Sequence, residues 1–174
     1  MKKSKKQKRN IVLIGMSGAG KSTVGISLSY RLRMPFVDMD NYIAKTENMT
    51  VSQIFAEKGN DYFRQLETQT AKHMGQHYHG TIISTGGGIV LRQENMEHLK
   101  KNGIVVYINR SVEHILKTLK TDKRPLLKEN PLKLYDMYEE RHDLYLKYAD
   151  VVVANGSDFN SGVQNVYDAI IDLI

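Results

Sequence analysis

The nine residues Gly15-Met-Ser-Gly-Ala-Gly-Lys-Ser-Thr23 constrain the fold of this chain more than any other stretch. They follow a short apolar run, Ile11 to Ile14, that reads as a buried strand. They lead into Lys21 to Arg33, where Val24, Leu28 and Leu32 recur on one helical face. Gly15, Gly20, Lys21 and Ser22 stand at the spacing G-x-x-x-x-G-K-[ST]. Glycines at a strand-to-helix junction let the backbone wrap a phosphate with its N–H groups pointing inward, and the helix start adds the positive end of its dipole. Lys21 supplies a mobile cation and Ser22 a hydroxyl for a divalent ion. Gly18, Ala19, Gly20, Lys21, Ser22 and Thr23 are therefore expected to bind a nucleoside triphosphate together with Mg²⁺.

The rest of the chain repeats the alternation. Phe36-Val37, Thr81 to Ser84, Ile104 to Ile108 and Val151 to Val153 read as further short strands. Helical periodicity covers Asn41 to Thr46, Val51 to Glu57, Asp61 to Tyr78, Gln93 to Lys101, Val112 to Leu119, Pro131 to about Tyr148, and Val163 to Leu173. Strands alternating with helices predict a three-layer α/β fold with a five-stranded, mostly parallel sheet covered on both faces. In such sheets ligands bind beyond the carboxyl ends of the strands. The glycine loop, Asp38/Asp40 and Gly86-Gly87-Gly88 each follow a strand, so all three are expected to line one cleft.

Composition narrows the class. Of 25 basic residues, six (Lys2, Lys3, Lys5, Lys6, Lys8 and Arg9) precede the first strand, leaving 19 against 19 acidic residues in the remainder. Residues 1–9 thus read as a basic tail, either a disordered solubilising arm or an arm for a polyanion, and 10–174 as a single domain. The first of these is the reading adopted, with no nucleic-acid partner expected. The chain has no cysteine, which excludes a disulfide scaffold and a Cys-based metal site. No apolar run approaches the roughly 18 residues of a membrane span. A cytoplasmic protein without a membrane partner is expected.

Asp38 and Asp40 lie two apart at a strand end, and on extended backbone they would share a face. They are either a capping pair or the acids of a site. The strand Thr81–Ser84 carries no Asp at its end to support a metal, so Asp38 is the candidate metal ligand beside Ser22, leaving Asp40 for a substrate hydroxyl. Gly86-Gly87-Gly88 permits close approach of backbone to a ligand, or is simply a flexible turn. Arg64, Arg124 and Arg141 are either solvated helix residues or, if two of them face the cleft, the holders of an anionic substrate. His73, His77 and His79 lack metal-ligand spacing and read as exposed. A GTPase-type switch is disfavoured: Leu119-Lys120-Thr121-Asp122 lacks the Asn or Thr needed for guanine, and no Asp-x-x-Gly occurs.

Taken in order, the motifs resemble the shikimate kinase family over nearly the whole chain from Asn10 onward. They are Gly15–Thr23, Phe36-Val37-Asp38-Met39-Asp40, Ile54-Phe55 through Gly59, Phe63-Arg64 with Glu67, Ser84-Thr85-Gly86-Gly87-Gly88, Arg124-Pro125-Leu126-Leu127 and Arg141. The resemblance implies a fold like that of nucleoside monophosphate kinases, with five parallel strands and a mobile lid. It implies transfer of the ATP γ-phosphoryl to the 3-hydroxyl of shikimate. On that footing Lys21, Asp40 and Arg124 are the catalytic residues. Asp40, Arg64, Gly86, Gly87, Gly88 and Arg141 bind substrate, and Arg124 reaches the phosphates from the lid. ATP and shikimate are the expected partners, Mg²⁺ the expected cofactor, held by Ser22 and Asp38, and a monomer the expected state. Two departures stand out. The family often has Gly before its Ser-Ile-x-x-Ile-Phe stretch, where this chain reads Met49-Thr50-Val51-Ser52-Gln53-Ile54-Phe55. Where the family often stacks an Arg on adenine at the start of the lid, the best counterpart is Lys117, a poorer stacking partner.

Overall fold

The structure is a computed structural model that describes residues 8–118, 130, 132–156 and 158–174. Arg124, the Arg124–Leu127 motif and Pro131 lie outside the described residues, as do residues 1–7 of the basic tail. Lys8 and Arg9 are tied to the body: the Gly80 N–H donates to the Lys8 carbonyl (2.8 Å), and Arg9 Nη2 to the Gly103 carbonyl (2.9 Å).

Five parallel strands form one sheet. They are β1 (Asn10–Ile14), β2 (Phe36–Asp38), β3 (Ile82–Ser84), β4 (Gly103–Asn109) and β5 (Val151–Ala154), in the order β2-β3-β1-β4-β5. β1 is central and wholly buried, which explains why it reads as a continuous apolar run rather than an alternating one. Eight α-helices flank the sheet among the described residues: α1 (Lys21–Leu32), α2 (Met39–Glu47), α3 (Val51–Lys58), α4 (Asn60–His77), α5 (Gln93–Lys100), α6 (Val112–Thr118), α7 (Lys133–Tyr148) and α8 (Phe159–Ile170). α1 packs on β1, β2, β3 and α8, whereas α5 and α7 pack on β4. A single apolar core runs along the sheet, and a smaller one, Ile43, Ile54 and Phe63 with Phe55 and Leu66, joins α2, α3 and α4.

The element pattern matches the sequence reading, with two differences of physical origin. α2 begins at Met39, directly after β2, so Asp38 is its N-cap and Asp40 lies in its first turn; the two aspartates do not share one extended segment. α8 begins at Phe159 rather than Val163, because the Asp158 carboxylate accepts the Ser161 N–H at 3.0 Å. In sequence Phe159 stands four residues before Val163 and in step with Val166 and Ile170, so the apolar period itself reaches back to the capped start. The helix α3 starts at Val51 as expected, after a loop that turns on left-handed Asn48 (φ 54°) and closes with a capping box. The Gln53 N–H donates to Thr50 Oγ1 (3.1 Å), and the Thr50 N–H to Gln53 Oε1 (2.8 Å). This local motif fixes the start of α3 in the segment that departs from the family pattern.

α4 and α5 approach closely at Gly75, where a Cβ would fall 2.2 Å from the carbonyl oxygen of His98. Backbone cannot yield as a side-chain tip can. Gly75→Ala is expected to lower the unfolding free energy by about 1–3 kcal/mol despite alanine's better helix propensity. Urea denaturation checks this, and a variant as stable as the parent contradicts the packing.

Candidate active site

The carboxyl edge of the sheet carries the site. β1 delivers the glycine loop, whose Gly20 has φ 94° and would place a Cβ 2.8 Å from Asn155 Nδ2. Asn155, just past β5, donates from Nδ2 to the Ala19 carbonyl (2.7 Å), and its backbone N–H donates to the Asn109 carbonyl at the end of β4 (2.9 Å). The loop is therefore tied to two neighbouring strands. Lys21 is buried, and its ammonium donates to the Gly15 and Met16 carbonyls at 2.8 Å each.

The sheet register explains the acid. Leu13 of β1 pairs with Ser84 of β3, and Ser84 with Asp38 of β2. Ser84 thus stands where an acid next to the phosphate loop would be sought, and Asp38 stands one strand further out. Ser22 Oγ bridges the gap, donating to Asp38 Oδ2 (2.5 Å) and lying 3.0 Å from Ser84 Oγ. Asp38 Oδ1 accepts the Asn41 N–H (3.1 Å), so one carboxylate both caps α2 and faces the loop. The resulting cleft has a volume of about 460 Å³, and its lining includes Lys21, Ser22, Asp38, Asp40, Gly86 and Gly87.

The other half of the cleft gathers around the glycine triplet that follows β3. A Cβ at Gly86 would fall 2.9 Å from Asp40 Oδ1 and 3.0 Å from Glu67 Oε1. At Gly88 it would fall 2.2 Å from Arg64 Nη1, and at Gly87 3.6 Å from Arg141 Nη1. Glycine is favoured at 86 and 88 because the Asp40, Glu67 and Arg64 side chains crowd the backbone, and at 87 the Ser17 backbone N would lie 3.2 Å from a Cβ while Arg141 is in ordinary contact. Arg64 is ion-paired to Glu67 on the next turn of α4. Burial, aided by the Asp40 charge, pushes the Glu67 carboxyl above its ordinary pKa against the pull of Arg64 and Arg141. Arg141 is buried on α7, with Glu140 Oε2 3.6 Å from its Nε. The Tyr145 hydroxyl, one turn along α7, donates to the Gly87 carbonyl (2.6 Å) and so holds the triplet. Thr85 Oγ1 donates to the Leu13 carbonyl (2.9 Å), anchoring its other end.

Lys21, Ser22, Thr23, Asp38, Asp40, Arg64, Gly86–Gly88 and Arg141 therefore lie together as the sequence suggests. Lys117 is exposed on α6, and His73 and His77 are exposed on α4. Asn155, Tyr145 and Arg110 were not singled out from the sequence. Their one available signal is position: Asn155 and Arg110 each immediately follow a strand, on the ligand-binding edge.

Comparison with known proteins gives a consistent answer. A sequence model of the shikimate kinase family matches residues 17–174. A shikimate kinase of Clostridium botulinum (strain Eklund 17B / Type B) is 41% identical over 165 residues, covering 95% of this chain and 99% of that one. The solved structure of a shikimate kinase from Acinetobacter baumannii in complex with shikimate is 33% identical, with a TM-score of 0.85 and 96% of each chain covered. That of the Aquifex aeolicus shikimate kinase is 36% identical, with a TM-score of 0.81, covering 93% of this chain and 96% of that one.

The crowding at Gly88 gives a direct test of the acceptor half. A methyl group there must displace the Arg64 guanidinium. Gly88→Ala is expected to raise the KM for the acceptor at least about tenfold while leaving ADP affinity within twofold. Steady-state kinetics and ADP titration measure the two; an unchanged acceptor KM contradicts the placement of Arg64.

Proposed function

We propose a division of labour in this cleft from the premise that the chain belongs to the shikimate kinase family and transfers the γ-phosphoryl of ATP to the 3-hydroxyl of shikimate. The observation that carries it is the joining of two half-sites: a phosphate-binding loop on β1 and a glycine triplet ringed by Asp40, Arg64 and Arg141, opening on one cleft. Gly18, Ala19, Gly20 and Thr23 present backbone and hydroxyl donors to the phosphates. Lys21 leaves its carbonyl partners to follow the charge on the transferring phosphoryl, and Arg124 reaches the same charge. Arg64 and Arg141 hold the shikimate carboxylate, each guanidinium offering a two-pronged fork. Asp40 orients the 3-hydroxyl and accepts its proton as the oxygen attacks phosphorus.

The oxygen pair of Ser22 and Asp38 suits Mg²⁺, a hard cation that prefers oxygen ligands. When bound, the ion supplies neutralisation of phosphate charge. Positioning and charge stabilisation together account for catalysis, since phosphoryl transfer of this kind needs no covalent protein intermediate. The same reading takes the enzyme as a cytoplasmic monomer. No helix among the described residues is long and apolar enough to cross a membrane.

The test is ADP release with shikimate, quinate, gluconate and AMP as separate acceptors. Stimulation by shikimate alone is expected, and Lys21→Ala is expected to cut that turnover at least about a hundredfold. Activity with another acceptor and none with shikimate contradicts the assignment. Near-normal turnover in Lys21→Ala contradicts the role of the lysine.

A further inference from the structure

The sheet order dictates where the nucleoside lies. The acceptor groups follow β2 and β3, on one side of β1, so the γ-phosphoryl must face that side. The α-phosphate and nucleoside then trail the other way, over the ends of β4 and β5. Two polar residues stand there. Asn155 is committed to the loop through the bonds already described. Arg110, the first residue past β4, is not. Its Nη1 makes one long bond to the Gly18 carbonyl (3.3 Å), its buried Nε has no hydrogen-bond partner among the described residues, and no carboxylate is ion-paired with it there. A guanidinium has five donors, and a buried donor left unmade is costly. Arg110 and Thr118 both line the cleft beside the loop, and Lys117 is not among its lining residues.

We propose that Arg110 holds the adenosine half of ATP and ADP, its guanidinium plane lying against the base, at a different position in the chain from the family's stacking arginine. The assignment rests on the nucleotide-site reading given above. A guanidinium is weakly hydrated and planar, so it stacks on an aromatic face where an ammonium does so poorly. The bond to Gly18 keeps the plane beside the phosphate loop, which links base recognition to the loop's own geometry.

The experiment compares ADP and inorganic tripolyphosphate, which share phosphates and differ in the nucleoside. Arg110→Ala is expected to raise the ADP Kd and the ATP KM about tenfold, while the tripolyphosphate Ki and the shikimate KM stay within twofold. Arg110→Lys recovers less than half of the loss, on a logarithmic scale, and Lys117→Ala has a smaller effect than either. Should Arg110→Ala not fold, Arg110→Met, which keeps the aliphatic stem, is read in the same way. An unchanged ADP Kd in a folded variant overturns the proposal. So does a tripolyphosphate Ki that rises in parallel with the ADP Kd, which would make Arg110 a phosphate ligand. If the parent protein itself fails to bind ADP, the reading of the loop as a nucleotide site fails instead.

Discussion

The 2.5 Å hydrogen bond from Ser22 to Asp38 is the contact on which the two halves of the site depend. Ser22 belongs to the first turn of α1 and follows the phosphate loop; Asp38 ends β2 and begins α2. The bond is possible because β1, β3 and β2 run parallel and in step, Leu13 beside Ser84 and Ser84 beside Asp38. A slip of one residue in either pairing would turn these side chains to the opposite face of the sheet. Parallel register is thus what converts three separate segments into a single catalytic edge.

The acceptor half is built on preorganised charge. Arg64 is held by Glu67 on its own helix, and Arg141 is brought in from the far end of the chain by α7. A buried guanidinium (Arg141) and a half-buried one (Arg64) are costly unless something pairs with them. Glu67 answers Arg64, and exposed Glu140 lies near Arg141 at a longer distance. A carboxylate in the cleft would complete that balance. Tyr145 contributes in a different way: it is buried, stacked on Tyr107 with ring centroids 4.9 Å apart, and holds the Gly87 peptide. Burial pushes its hydroxyl pKa well above the ordinary value, so it remains a hydrogen-bond donor across the physiological range.

Most of the fold was legible because its signals are local and periodic: buried strands as apolar runs, helices as 3.6-residue periods, the phosphate loop as a fixed spacing. The link between Asp38 and the Ser22 hydroxyl was legible too, through the missing acid after β3. The capping role of Asp38 and its use in the site proved to be one arrangement rather than two alternatives. Asn155, Tyr145 and Arg110 were not legible, since each acts through a partner more than 50 residues away along the chain. Such pairings arise only when strands β4 and β5 and helix α7 are folded against β1. The start of α8 at Phe159 was legible after all, since Phe159 is in step with Val163, Val166 and Ile170 behind the Asp158 cap.

The central claim is that two guanidinium groups recognise the acceptor's carboxylate while the phosphate loop handles ATP. The most direct measurement is a cycle between protein and ligand: kcat/KM for shikimate and for its uncharged methyl ester, in the parent and in Arg141→Ala. Recognition by Arg141 requires the parent to favour the acid strongly and the variant to lose at least about tenfold of that preference. An acid-to-ester ratio that is the same in both proteins would contradict it.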